Sequence, residues 1–188
     1  SFQNLEIWVN EANIDRYISI RDNLNLLGEL GLAIRLSSES AYKLLYEASL
    51  KKHFFGLIDL DSFGCPNGFL QPAIRVLAFE GILALSSTDT RSTTGHERSS
   101  AIRTLAASAR VHPSSWEVGL RHQLAAIARH AWLLGRGVEP LISFSDGRTF
   151  RLFVRITRNP RVGEENQLGF LARCDSCGAQ SSQSLINL

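Results

Sequence analysis

The chain has 188 residues, 44% hydrophobic and 20% charged, which is enough apolar material for one well-packed globular core. A formal net charge of +2 does not by itself announce a nucleic-acid partner, although 20 Lys and Arg leave room for a basic face. The 3 cysteines do not make a secreted disulfide framework, and no apolar run approaches the ~18 residues of a membrane span, so a soluble, reducing compartment with no membrane partner is expected.

Leu5 to Val9 is a short apolar run of strand formers that ends at a polar stretch. From Ile14 to Leu27 the apolar residues follow a helical period, with Gly28 as the stop. The pattern repeats: Ala33 to Leu36 reads as a strand, Ser38 to Leu50 as a helix, Phe54 to Leu60 as a strand, Phe69 to Phe79 as a helix broken by Gly81, and Ile82 to Leu85 as a further strand. Strands alternating with helices predict an α/β fold with a parallel sheet covered by helices, because parallel strands need crossover connections. After a polar segment from Asp89 to Ser100, Trp116 to Leu134 forms a long helix with an Arg and His face. Val138 to Phe144 and Thr149 to Ile156 then form an antiparallel hairpin around Ser145-Asp146-Gly147-Arg148. The last residues lose periodicity, so 1–158 is expected as one domain and 159–188 as a linker or the start of another module. With Ser1 first and no Met, the sequence reads as a fragment whose targeting segment, if any, lies upstream. The nucleus, a chloroplast, a mitochondrion and a bacterial cytoplasm all stay open.

Ligands of an open parallel sheet bind beyond the carboxyl ends of its strands, so polar residues there come first. Glu11 follows the first strand, where a carboxylate can accept both hydroxyl hydrogens of a nucleoside ribose; it could equally be a helix-start charge. The run Asp59-Leu60-Asp61-Ser62-Phe63-Gly64-Cys65-Pro66 places carboxylates, an aromatic ring, a Gly and a Pro directly after a strand. A base taken out of its stack needs both an acceptor and a ring, and an amine attacking a methyl group needs its protons accepted. The plainer reading is a turn with a capping Asp. Ser86-Ser87-Thr88-Asp89-Thr90 follows the neighbouring strand and gains its interest from lying beside that run.

With these segments in order, the chain resembles the tRNA guanine-26 dimethyltransferase family over nearly its whole length. IDLDSFGCP is similar to that family's DxDPFGSP motif, SSTDT to its TATD segment, and WEVGLRHQLAAIARHAWLLGRGVEPLISFSDGRTFRLFVRI to its EVGLRILL, YGR, IEPLLSLS and VRVFVRV blocks. The wording is most like the plant and cyanobacterial branch. Departures are Ser62 where the family has Pro and Cys65 where it has Ser. The resemblance implies a Rossmann-like S-adenosylmethionine-dependent methyltransferase acting on the exocyclic amine of tRNA guanine 26. It implies catalytic roles for Asp61 with Phe63, Asp59 as a neighbouring acceptor, and cofactor contacts from Glu11 and Asp61. It also implies that the first strand and its Gly-rich loop precede Ser1, so that these residues by themselves should not bind the cofactor competently. The readings left open are an inactive truncated relative that at most binds RNA, and a nucleotide-dependent oxidoreductase, which the lack of a G-x-G-x-x-G stretch disfavours.

Arg121 and Arg129 recur with His122 and His130 at helical spacing, and with Arg148 and Arg151 on the hairpin they are candidates for phosphate contact with tRNA; a solvated helix face is the alternative. Cys174 and Cys177 offer half of a zinc site, which the resemblance implies a C-terminal module would complete; a turn with a surface Cys pair is the alternative.

Overall fold

The computed structural model describes residues 5–25 and 33–187. The chain divides between His53 and Phe54 into two compact units, and residues 159–187 fall in the second. In the first unit, β1 (Glu6–Asn10), α1 (Ile14–Asn25), β2 (Ala33–Ser37) and α2 (Ala41–Leu50) follow one another. Residues β1 and β2 contribute pair in parallel, from Glu6↔Ala33 to Asn10↔Ser37, as the crossover reading expects. The expected helix end at Leu27 and Gly28 lies outside the described residues.

The second unit contains β3 (Phe55–Asp61), a 3-10 helix (Pro66–Phe69), α3 (Leu70–Val76), β4 (Leu77–Ser87), α4 (Thr90–Thr93), α5 (Arg98–Leu105), α6 (Ser115–Trp132), β5 (Gly137–Ser145) and β6 (Phe150–Thr157). A second 3-10 helix (Glu164–Gln167), β7 (Gly169–Arg173), β8 (Gln180–Ser184) and a third 3-10 helix (Leu185–Asn187) follow. Its four-stranded sheet has the order β3-β4-β6-β5. The β3–β4 pair is parallel, whereas β4–β6 and β5–β6 are antiparallel, so the expected parallel sheet becomes a mixed one where the hairpin joins it. Pro140 lies in β5, an edge strand, beside a register shift, which is where a strand tolerates a missing donor.

Several sequence expectations change here. The helix expected over Phe69 to Phe79 ends at Val76, and Leu77 already belongs to the strand. The cause is tertiary. Buried Arg136 donates to the carbonyls of Leu77 (3.3 Å) and Ala78 (3.0 Å), and also to those of Thr157 (2.9 Å) and Ile156 (3.0 Å), so the start of β4 is held to the end of β6. The polar segment after Asp89 forms α4 and α5. Thr93 and Thr94, both buried, satisfy their hydroxyls on the carbonyls of Asp89 and Thr90 one turn back. The aperiodic tail pairs as the β7–β8 hairpin, whose polar strand Gln180–Ser184 carries no alternation to read.

The core of this unit follows the period of β6. Phe150, Leu152, Val154 and Ile156 are fully buried, while Arg151, Phe153 and Arg155 alternate on the other face. Helix α6 approaches that buried row at Gly119, and Trp116 stacks on Phe150 with ring centroids 5.3 Å apart. A Cβ at Gly119 would lie 2.9 Å from Phe150 Cζ and 2.9 Å from the Thr93 methyl. Gly119→Val should therefore destabilise the protein by about 1–3 kcal/mol through overpacking, read as a lowered midpoint in urea unfolding. An unchanged midpoint would mean that α6 does not sit this close to β6.

Candidate active site

The register of β3 against β4 pairs Asp59 with Ala84 and Asp61 with Ser86. Leu60 between them is buried, so strand alternation turns both carboxylates to the opposite face. On the other side of β4, Ser86 pairs with Arg151. From there the guanidinium reaches back to Asp59 in a bidentate fork, Nη1 to Oδ1 at 2.8 Å and Nη2 to Oδ2 at 2.6 Å. The hydrogen bond to Asp59 raises the pKa of Arg151, and the charge of Asp61 adds to the effect. Both oxygens of Asp59 are thus engaged. Asp61 is exposed, and its carboxylate accepts no hydrogen bond among the described residues.

After β3 the chain turns through Phe63, whose side chain is 78% exposed, and Gly64, whose φ of 74° is a left-handed value that suits Gly. Thr88 holds this turn: the Gly64 N–H donates to Thr88 Oγ1 (2.8 Å) and the Thr88 N–H donates to the Gly64 carbonyl (3.1 Å). Buried Ser87 donates to the same carbonyl (3.2 Å) and accepts from Gln123 Nε2 (3.3 Å). Since the single Ser87 proton lies on Gly64, the Gln123 amide must face it with its NH₂. Asp89 caps α4 by accepting from the Ser92 N–H (3.1 Å). Burial pushes the Cys65 thiol up, so it stays neutral beside the turn.

In the first unit, Glu11 continues the β1–β2 ladder through its N–H to the Ser37 carbonyl (3.1 Å). Its Oε1 accepts from the Asn13 N–H (2.7 Å), and Asn13 Oδ1 caps α1 by accepting from Asp15 and Arg16. The helix-start reading of Glu11 is therefore realised by one carboxylate oxygen, and Oε2 is left for another donor. Asn10 braces the same strand end, accepting from Ser37 Oγ (2.7 Å) and the Glu39 N–H (3.2 Å).

The residues expected to meet phosphate fall into different environments. Arg129 is half-buried and donates to the Leu105 carbonyl, and Arg151 is held by Asp59, so both guanidinium groups are engaged inside the fold. Arg121 is exposed in an i,i+4 pair with Glu117 at 2.7 Å, a contact that a surface phosphate can displace, and Arg148 is exposed at the β5–β6 turn. Burial holds His122 and His130 below the ordinary imidazole range, with nearby Arg129 adding to the effect, so the histidines carry little of the expected basic face. Cys174 and Cys177 are exposed in the turn between β7 and β8, and backbone N–H groups of Cys177 and Ser176 hold the Cys174 thiol below its usual range. Two thiols fall short of the roughly four ligands zinc takes, and among the described residues no cluster of His, Cys, Asp and Glu completes a metal site. No helix among them is long and apolar enough to cross a membrane.

Sequence reading missed Arg136, Gln123 and the grip of Thr88 on Gly64. The Gly-Arg pair at 135–136 was the one visible signal for the first. The others have none, since hydroxyl-rich turns and a helical Gln are common.

A profile of the family described as N2,N2-dimethylguanosine tRNA methyltransferase matches residues 2–187. A tRNA (guanine(26)-N(2))-dimethyltransferase of Methanoregula boonei is 31% identical over 175 residues, covering 92% of this chain and 44% of the relative. The protein of the same name from Pyrococcus abyssi is 31% identical over 188 residues, covering 92% of this chain and 49% of its own length. Among solved structures, Trm1 from Pyrococcus horikoshii in complex with S-adenosyl-L-methionine superposes with a TM-score of 0.87 at 27% identity, covering 95% of this chain and 52% of that one. The chain thus spans about half the length of the curated relatives it matches.

The histidines of α6 make a stability test. Their folded-state pKa values lie below the unfolded ones, so the unfolded chain binds more protons and stability rises with pH. The stabilisation is complete above the ordinary imidazole pKa near 6.5 and is lost as pH falls through and below it. His122→Gln combined with His130→Gln should flatten the dependence of unfolding free energy on pH between about 7 and 5, followed by urea titration at stepped pH. An unaltered slope would mean that both imidazoles charge freely in the folded protein.

Proposed function

The chain belongs to the N2,N2-dimethylguanosine tRNA methyltransferase family, and from that membership we propose that the protein transfers methyl groups from S-adenosylmethionine to the exocyclic amine of guanine 26 in tRNA. The observation that carries the reading is the unequal state of the strand-end carboxylates: Arg151 occupies Asp59, and Asp61 stands exposed beside Phe63.

The cofactor supplies an electrophilic methyl group on a sulfonium. Everything else in the step falls to the protein and the base. The guanine N2 lone pair is delocalised into the ring, so the amine is a poor nucleophile until an acceptor draws its protons aside and leaves the lone pair aimed at the methyl carbon. Asp61 is that acceptor. With the methyl donor bound, the amine proton would leave by way of the Asp61 carboxylate as the guanine nitrogen takes the methyl group. Phe63 offers the ring face on which an unstacked base is held. Asp59, with both oxygens in the Arg151 fork, steadies the strand end and is not the acceptor. Glu11 fits a ribose contact, since Oε2 is left when Oε1 caps at Asn13. Arg121 and Arg148 contribute phosphate contacts with tRNA.

Asp61→Asn in the full-length natural protein should lower kcat on a tRNA transcript by about 10²- to 10⁴-fold while affinity for tRNA changes little. Methylation can be followed by mass spectrometry of guanosine in the digested tRNA. Undiminished turnover would remove Asp61 from the chemistry.

A further inference from the structure

We propose that Arg158, in the turn that follows β6, is a phosphate contact for tRNA, its guanidinium held ready by the exposed ring of Phe79. The inference deepens the methyltransferase reading above, on which its choice of partner rests, and concerns the end of the β3–β4–β6 sheet opposite Asp61.

Residues 78–81 bulge out of the β3–β4 ladder, because Leu77 pairs with Phe55 whereas Ile82 already pairs with Leu57. Within the bulge Glu80 takes a left-handed φ of 62°, a conformation that is costly for a residue bearing a Cβ. At its tip Phe79 stands 60% exposed, and Glu80 Oε1 accepts from the Arg158 N–H at 3.1 Å. The backbone is held on both sides of Arg158 as well. Arg136 Nε donates to the Thr157 carbonyl (2.9 Å), and Thr157 Oγ1 donates to the Asn159 carbonyl (2.9 Å). Gly137 packs so tightly under this turn that a Cβ there would lie 2.7 Å from Pro160 Cα. The side chain has its own support, since Arg158 Cζ sits 5.1 Å from the centroid of the Phe79 ring. Yet among the described residues the Arg158 guanidinium forms no ion pair, whereas Arg155 and Arg161 share Glu139.

An exposed cation whose backbone and stem are already fixed loses little freedom on meeting an anion. A guanidinium fork suits phosphate, and ring surface beside it suits the ribose or base joined to that phosphate. A nucleic acid therefore matches the pair better than an acidic protein surface does. Arg158 lies roughly 20 Å along β6 from Arg151, which braces Asp59. A ligand that meets both ends is a macromolecule, and losing the far contact acts on binding and not on the chemical step.

The experiment follows tRNA binding by the full-length natural protein across a salt series, with steady-state kinetics on the same transcript. Arg158→Ala should weaken binding by about 10-fold near ~0.1 M salt and lower the slope of log affinity against log salt by about 1, with kcat at saturating tRNA within about twofold. Phe79→Leu keeps the cation but removes the ring that orders it, so it should weaken binding by about threefold and leave the salt slope unchanged. Wild-type affinity and slope in Arg158→Ala, the result expected if the stack docks an acidic protein or only braces the fold, would overturn the inference and leave the methyltransferase reading intact. A wild-type protein that binds tRNA through Arg158 without methylating guanine would overturn that reading and leave the phosphate contact standing.

Discussion

The site depends on one register: Asp61 opposite Ser86 across the parallel β3–β4 pair. Because successive residues of a strand face opposite ways, a slip of one position would bury both carboxylates and expose Leu60. The same register brings Thr88 level with Gly64 and, through β4's other neighbour, Arg151 within reach of Asp59. Strand β4 is therefore the template on which Asp61, the ring-bearing turn and the Arg151 guanidinium are assembled. Its other end is held by Arg136, whose donors join the first carbonyls of β4 to the last of β6. Burying that guanidinium lowers its pKa, and the carbonyl acceptors offset the cost of taking it from water.

Electrostatics then distinguishes two carboxylates that look alike in sequence. Asp59 and Asp61 share a face, but a planar guanidinium satisfies one carboxylate at a time in bidentate fashion. Arg151 pairs with Asp59 and leaves the outer Asp61 with its lone pairs exposed. The contact also moves Arg151 from the list of simple phosphate ligands to the frame of the site. The α6 histidines are likewise drawn into the fold by burial, so any basic surface here depends on arginines such as Arg121 and Arg148.

Much of this was legible in the sequence where local pattern and tertiary environment agree. Short apolar runs bounded by polar residues located β1, β2 and β3, and Ser145-Asp146-Gly147-Arg148 located the hairpin. There, Asp146 Oδ1 accepts from Arg148 and Thr149 N–H, both at 2.8 Å, and Gly147 supplies a φ of 86°. The carboxylates at the end of β3 were visible because strand-end polar residues are exceptional in an apolar run. The end of α3 was not visible, since Leu77-Ala78-Phe79 suits a helix or a strand and distant Arg136 decides. Nor was the division of labour between Asp59 and Asp61, which turns on a residue 92 positions away. Turn and hydroxyl contacts such as Thr88 to Gly64 lack a periodic signature, so only the folded register reveals them.

The most direct test of the central claim, that Asp61 receives the amine of an unstacked guanine, is a crystal structure of the full-length natural protein with tRNA and S-adenosylhomocysteine. The account expects guanine 26 out of its stack, its ring against Phe63 and its N2 at about 3 Å from an Asp61 oxygen, with Arg151 still on Asp59. A guanine whose amine meets Asp59 or another group, with Asp61 turned to solvent, would contradict it.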